Sequence, residues 1–234
     1  MQKFRSPSLA VRRILCACPV VAMLAFAAVQ FAQAAEKLPE TTPEGLVLQK
    51  KTKLEVVYLR PGVKFDRYDK VAILDCFMAF RKNWQQDQSM DFQIGKQDMD
   101  RIKTLLAAEF KKVFVAELQD KGGYQVVDEG APDVLVLRPA IINLDIQAPA
   151  NAGPAGMSAT FSASAGQMTL YLEVYDSVTS ELLARVIDPE AGQDSGMIEM
   201  QSGVTNRIEA DRILKKWAGI LRGALDTAHG KKST

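Results

Sequence analysis

The chain has 234 residues, of which 47% are hydrophobic and 24% are charged, and its formal net charge is +1. This composition is typical of a globular protein. The first 34 residues contain four basic residues and no acidic one, so the remaining 200 carry 25 basic and 28 acidic side chains. That acidic balance argues against nucleic acid as a partner, because phosphate binding requires clustered lysine and arginine.

The N-terminus, residues 1–34, has the form of a secretion signal. A basic stretch is followed by the apolar run Ile14–Ala32, and an Ala-Gln-Ala pattern ends at Ala34. Cleavage between Ala34 and Ala35 would release a periplasmic protein. Two alternatives stay open: lipidation at Cys18, or retention of the 19-residue run as an anchor that leaves the chain membrane-bound and facing the periplasm.

Residues 35–61 are predicted to form a lead-in linker, with a short edge strand over Leu54–Leu59. The central strand is predicted over Lys70–Phe80. Its apolar residues fall on both sides of an extended chain, which indicates a strand covered on both faces. Trp84 follows in a polar stretch, where it is either an exposed contact residue or, as we prefer, an aromatic folded back over the core.

The clearest helix is predicted to begin near Asp98 and to end at Gly122-Gly123, since glycine adopts the left-handed cap without steric cost. Charged residues, including Glu117, fall away from its apolar face. The predicted apolar face consists of Ile102, Leu105, Leu106, Phe110, Val113, Phe114 and Leu118.

After a short strand over 124–128, a long strand is predicted over Val134–Ile146. Pro139 lies within it and cannot donate to a neighbouring strand, so it indicates an edge, a bulge or a break. Residues 148–166 consist mostly of alanine, glycine, serine and proline, which predicts a flexible loop.

A hairpin is predicted next, with Met168–Tyr175 alternating between a buried and a solvated face and Leu182–Ile187 as its partner strand. A second amphipathic helix is predicted over Val204–Ala228, with Trp217 on its apolar stripe. Residues 229–234 form a polar tail that we expect to fray.

These elements predict an α/β fold of the α+β kind, in one domain over residues 62–228. A single mixed or antiparallel sheet of about five strands would pack against two long amphipathic helices.

The sequence supplies little catalytic chemistry. Cys76 is the one cysteine after residue 34 and His229 is the one histidine, so neither a disulfide nor a Cys/His metal cluster is expected. Glycine motifs for phosphate binding or a nucleophile elbow are also absent. Asp75 interrupts an apolar run and is the weak candidate for one half of an acid/base pair, although we prefer a structural role at a strand end or in a loop. Asp145 and Asp188 also lie in or at the end of predicted strands, but nothing specifies a second member of the pair. We expect no enzyme activity, no metal and no cofactor.

A candidate interaction surface combines Trp84 with the outer face of the hairpin. Tyr171, Glu173 and Tyr175 lie on the predicted solvated face, and Arg185 is near them. Aromatic residues on such a face are enriched at interfaces, although they also form ordinary cross-strand pairs.

Three stretches together resemble a bacterial family of unknown function, DUF3313. They are Phe65–Val71, Asp176–Ala184, and Trp217 followed by Leu221 and Leu225-Asp226. The resemblance spans roughly residues 54–228. It implies an exported envelope protein, often a predicted lipoprotein, and it implies no catalytic residues. The chain departs from the lipoprotein members in lacking a properly placed lipid-accepting cysteine.

We therefore expect a non-catalytic exported envelope or periplasmic protein that binds an envelope partner as an accessory module. One alternative is a periplasmic binder of a small molecule or lipid, with residues 148–166 as a flap. The other is a carboxylate-based hydrolase that uses Asp75.

Overall fold

The computed structural model describes residues 38–87, 95–145, 167–191 and 203–231, with side chains of the last segment described from Ala210 onward. The predictions for the secretion signal, the 148–166 loop and residues 232–234 lie outside the described residues. From Pro39 onward the chain forms one compact unit.

The described chain contains eight strands and two helices. The helices are α1 (Lys96–Val115), which continues as a π-helical segment over Ala116–Lys121, and α2 (Gly203–Ala228). The strands are β1 (Val47–Leu48), β2 (Val56–Leu59), β3 (Lys70–Ile73), β4 (Phe77–Phe80), β5 (Gln125–Val126), β6 (Val134–Asp145), β7 (Gln167–Asp176) and β8 (Leu182–Ala191). The α+β class is confirmed, whereas the prediction of about five strands was too low.

All eight strands belong to one mixed sheet. Its order is β1-β2-β8-β7-β6-β3-β5, and β4 also pairs with β6. The pairs β1-β2, β2-β8, β8-β7 and β7-β6 are antiparallel. The strands β3 and β4 run parallel to β6, and β5 runs parallel to β3. The longest strand, β6, therefore joins an antiparallel half to a parallel half.

The short strand predicted over Leu54–Leu59 is found as β2, and β1 is an additional strand within the predicted lead-in segment 35–61. Val56–Leu59 pairs antiparallel with Ala184–Ile187 of β8, so β2 has a neighbour on each side. Leu46 and Tyr58 are buried in a small second core on this side of the sheet. The predicted edge position of this strand was wrong, because its pairing with a strand so distant in sequence leaves no local signal.

The predicted central strand over 70–80 is divided into β3 and β4, which lie one after the other along β6. The N–H of Leu74 donates to the carbonyl of Leu137 at 2.9 Å. Main-chain groups two positions apart in a strand face the same neighbour, so the nitrogen of Pro139 faces this side as well. Because proline has no N–H to donate, the ladder is interrupted there. Pro139 thus marks a break in the neighbouring strand, while β6 itself stays continuous.

The helices cover one face of the sheet and bury the main core. Trp217 of α2, Phe110 and Phe114 of α1, and Leu170 of β7 all belong to that core. The rings of Phe110 and Phe114 are stacked with centroids 4.0 Å apart. Most of the predicted apolar face of α1 is buried, with Leu105 as the exposed exception.

The end of α1 departs from the prediction at Glu117, which is buried. Glu117 lies seven residues after Phe110 and four after Val113, so helical spacing places it on the buried face and the predicted outward position was wrong. Lys121 forms an ion pair with it. The predicted left-handed cap is found at Gly123, with φ +73°. Gly122 has φ −89° and is required instead by close packing.

Candidate functional site

The structure brings together four of the five residues predicted as an interaction surface. Glu173 accepts hydrogen bonds from the hydroxyl groups of Tyr171 (3.1 Å) and Tyr175 (2.7 Å). It also accepts from Nε and Nη2 of Arg185, at 3.1 and 2.8 Å. The fifth residue, Trp84, is only 1% exposed, and its ring packs against Phe80 with centroids 4.5 Å apart. Trp84 is therefore a core residue and is not accessible to a partner.

Glu173 was predicted to be solvated, but it is only 7% exposed. Burial alone would raise its pKa, yet hydrogen bonds from Tyr175, Arg185 and Tyr171 outweigh that effect and hold the pKa below its usual value. The buried carboxylate is tolerated because it is paired and hydrogen-bonded.

Arg185 extends this network to the N-terminal part of the domain. Its guanidinium donates to both carboxylate oxygens of Glu44, at 3.0 and 3.3 Å. The hydrogen bond from Arg185 is the main cause that lowers the pKa of Glu44 to about 2. Since these charges are satisfied by one another, the network mainly fastens residues 39–48 to the sheet.

Accessible apolar surface on the same face lies further along the sheet, at Phe77 and Leu74, which are 64% and 47% exposed. Phe77 lies opposite Ala140 of β6. Arg138 is two residues earlier on β6, so its mostly exposed side chain projects from the same face. Sequence analysis missed this patch because it placed both apolar residues in one fully covered strand. The signal was Pro139, which predicted an irregularity without locating it in β3 and β4.

The acids considered for catalysis are not brought together as a pair. Asp75 is exposed in the link between β3 and β4. Asp145 is paired with Nε of Arg81 at 2.7 Å. Asp188 is buried and accepts hydrogen bonds from the indole N–H of Trp217 and the backbone N–H of Glu55, both at 2.8 Å. Two of the three carboxylates thus have structural partners.

Cys76 lies beside Asp75 and is half-buried. Burial raises the pKa of its thiol to about 12. Because the thiolate is the nucleophilic form, this cysteine is a poor nucleophile near neutral pH.

His229 was expected in a fraying tail but is docked against the domain. Its Nε2 lies 3.1 Å from the carbonyl oxygen of Tyr68. Its ring packs against the ring of Tyr124, with the two centroids 5.6 Å apart. The hydroxyl of Tyr124 in turn donates to Asp226 at 2.8 Å. The start of the tail is therefore part of the fold.

The stretches 65–71 and 176–184 meet at Asp176. Its Oδ2 accepts from the hydroxyl of Tyr68 at 2.8 Å and pairs with Arg67. Its Oδ1 accepts from the backbone N–H groups of Val178 and Thr179, at 2.9 and 2.8 Å, and thereby orders the turn between β7 and β8. Both stretches therefore contribute to one buried polar contact.

Within residues 38–87, 95–145, 167–191 and 203–231, no three histidine, cysteine or acidic residues are grouped so as to hold a metal ion. Among the helices of that same part of the chain, none is long and apolar enough to cross a membrane.

The described residues thus define an α+β protein with two helices on one face of an eight-stranded mixed sheet. Residues 44–221 match the family described as "Protein of unknown function (DUF3313)". The match covers more than half of the chain, and the protein belongs to this family. A search of curated proteins gives no match.

Solved structures with some likeness to this chain include the PelC dodecamer from Paraburkholderia phytofirmans. It is 10% identical with a TM-score of 0.33, and the match covers 68% of this chain and 94% of that one. The hypothetical protein CT253 from Chlamydia trachomatis is 9% identical with a TM-score of 0.32, and the match covers 67% of this chain and 98% of that one.

Proposed function

We propose that this protein is a non-catalytic accessory protein of the cell envelope that binds a partner protein through the part of its sheet that carries Phe77, Leu74 and Arg138. The observation that supports the proposal is the neighbouring exposure of Phe77 and Leu74 beside Arg138. Single exposed apolar residues are common on protein surfaces. Two together, next to an arginine and at the break between β3 and β4, resemble the aromatic and arginine anchors of interfaces.

The chemistry of this patch defines the partner. Phe77 would pack against an apolar side chain, and Arg138 would pair with a carboxylate. The only acid close to Arg138 in the described structure is Glu173, whose Oε2 is 3.7 Å from Nη1 and which already binds Arg185. Among the described residues the charge of Arg138 is therefore only partly neutralised, and an acidic group of the partner can complete it.

We also propose that the protein is periplasmic. The proposal rests on the signal-like sequence of residues 1–34. The intact mass of the exported protein tests it, because cleavage between Ala34 and Ala35, lipidation at Cys18 and retention of the N-terminus give three different masses. A full-length mass, or location in the cytoplasm, would contradict this part of the proposal.

Photo-crosslinking in intact cells tests the binding surface. A photoreactive amino acid is placed at position 77 in one variant and at position 178 in another. Val178 is the matched control, because it is also an apolar residue and is 63% exposed. It lies in the turn between β7 and β8, away from the proposed surface. We expect one reproducible crosslinked protein from position 77 and not from position 178.

Arg138→Glu provides the second arm of the experiment. It reverses the charge proposed to meet the partner's carboxylate, so the crosslink from position 77 should weaken at least about tenfold if this pair is desolvated in the complex. The same bands from positions 77 and 178, or a crosslink indifferent to Arg138→Glu, would refute the proposed surface.

A further inference from the structure

An apolar cavity of about 480 Å³ lies between α2 and the face of the sheet that the helices cover. Leu170, Leu172 and Val174 of β7 form part of its floor, and Trp217 and Leu221 of α2 form part of its wall. Its volume falls within the range of about 300–1,000 Å³ that is typical of ligand pockets. The cavity is partly open to solvent, and its lining is mostly apolar.

The opening of the cavity is bordered by exposed residues from two elements. Lys50 and Lys53 belong to the segment between β1 and β2, and Ala224 and Thr227 belong to the last turns of α2. The two lysines are the only charged residues among the described residues that line the cavity. The apolar interior is therefore joined to a positively charged border.

The segment that carries these lysines is held at both ends. The N–H of Gln49 donates to the carbonyl of Val57 at 2.8 Å. The N–H of Glu55 donates to Asp188 at 2.8 Å, and Asp188 also accepts from the indole of Trp217. The border and one wall of the cavity thus share a buried carboxylate, which holds the backbone of the lysine-bearing segment beside the cavity.

We propose that the cavity binds a free long-chain fatty acid. Its alkyl chain would lie between the leucines of β7 and Trp217, and its carboxylate would remain at the surface beside Lys50 and Lys53. Apolar walls favour the chain, and the two lysines, with no acidic residue among the described lining of the cavity, favour an anionic head group. The volume suits one alkyl chain and is too small for the two chains and head group of a phospholipid. This site is on the opposite face of the sheet from Phe77, so it is independent of the proposed partner surface.

Tryptophan quenching by 12-bromododecanoate tests the proposal, because bromine quenches an indole that it contacts. The chain has two tryptophans, and only Trp217 lines the cavity. Below the critical micelle concentration, we expect saturable quenching of part of the emission by the brominated acid and none by dodecanoate. Affinity for unbrominated acids, measured by displacement, should rise about fourfold per added methylene until the cavity is full.

Two glycines of α2 provide a matched pair of variants. A Cβ added at Gly223, which lines the cavity, meets nothing within 4 Å, and the same holds at Gly219, which does not line it. Gly223→Phe should reduce fatty-acid affinity at least tenfold, whereas Gly219→Phe should leave it unchanged. If Gly223→Phe does not fold, the quenching and the chain-length series on the unaltered protein still decide the question.

The head group is tested by replacing both lysines, Lys50→Glu together with Lys53→Glu. Binding of dodecanoate should weaken roughly three- to tenfold at low salt, in keeping with exposed ion pairs, and binding of dodecanol should not. Equal affinity of the unaltered protein for acid and alcohol would overturn the fatty-acid assignment. Absence of quenching, or equal quenching of the two glycine variants, would overturn the cavity as a binding site.

Discussion

Asp176→Asn is the substitution that most directly tests the buried contact between the two stretches that meet there. The asparagine can keep its oxygen at the Oδ1 position, where it accepts from the turn N–H groups of Val178 and Thr179. Its amide nitrogen then replaces Oδ2. That nitrogen is a donor, and it faces the donating hydroxyl of Tyr68 and the guanidinium of Arg67.

The expected cost follows from these contacts. Tyr68 is buried, so its hydroxyl loses a charged acceptor without gaining water as a replacement. A hydrogen bond to a charged group contributes about 1.5–3 kcal/mol, whereas the pair with the largely exposed Arg67 adds little. We therefore expect Asp176→Asn to lower the free energy of unfolding by about 2–3 kcal/mol at pH 7.

The cost should depend on pH. The backbone N–H of Thr179 is the largest of several causes that hold the pKa of Asp176 well below its usual 3.8. In the unfolded chain the carboxylate takes up a proton near that ordinary value, while in the folded chain it stays ionised. The stabilisation is therefore complete above about pH 5 and is lost as the pH falls toward the folded-state pKa. Asparagine does not titrate, so the gap between the two proteins should narrow at low pH.

Urea unfolding followed by far-UV circular dichroism at pH 7, 5 and 3 measures this gap. Asp133→Asn is the control, because Asp133 is paired with Lys70 at 2.9 Å in a much more exposed setting. It should change stability far less than Asp176→Asn. A cost at Asp176 below about 0.5 kcal/mol at pH 7, or a gap that stays constant down to pH 3, would refute the reasoning.

Three further outcomes follow from single contacts. Gly122→Ala would place a Cβ 2.7 Å from a backbone carbonyl oxygen, so it should lower the free energy of unfolding by about 2 kcal/mol. Gly130→Ala is the control: its Cβ would lie 3.4 Å from its nearest neighbour, so the loss should be much smaller. Cys76, with its pKa raised by burial to about 12, should react with Ellman's reagent at pH 8 at least about a hundredfold more slowly in the folded chain than in urea. Trp217→Phe removes the indole donor to buried Asp188 and should cost about 1–3 kcal/mol.

Thermal and urea unfolding measure the glycine and tryptophan variants, and a chain that begins at Ala35 isolates the signal of Cys76. Equal unfolding midpoints for the two glycine variants would contradict the close packing at Gly122. Similar thiol reaction rates with and without urea would contradict the burial of Cys76. A Trp217→Phe protein as stable as the parent would show that Asp188 finds another donor.

Local patterns predicted the elements that depend on local periodicity. The apolar spacing from Ile102 to Leu118 located α1, and the alternation from Met168 to Tyr175 located β7 and its paired strand. Both patterns repeat over several turns or residue pairs, so single exceptions such as Leu105 do not obscure them.

What sequence analysis missed depends on residues that meet only in three dimensions. The division of β3 from β4 follows from Pro139 in another strand, and no feature of residues 70–80 specifies it. The burial of Glu173 requires Arg185, and through it Glu44, to surround the carboxylate. A charged residue at an outward position is ordinarily solvated, so alternation alone predicted the wrong environment.

The same dependence shaped the outcome for the candidate surface. In the hairpin of β7 and β8, Glu173 lies directly opposite Arg185. The predicted hairpin had already brought these two residues near each other. Trp84 is buried, as in the preferred interpretation of an aromatic folded back over the core. Phe77 was missed because its exposure results from the strand break.

The pairing of β2 with β8 imposes an order on the biosynthesis of the chain. The bond from Glu55 to Asp188 joins residues 133 positions apart. At common rates of translation, roughly 7–27 s separate the appearance of these two residues at the ribosome. During that interval β2 lacks its β8 neighbour, and the unpaired strand can be recognised by a chaperone or by another nascent chain. A product that terminates before Leu182 never acquires β8, so its N-terminal strands would remain a target for the cell's quality control.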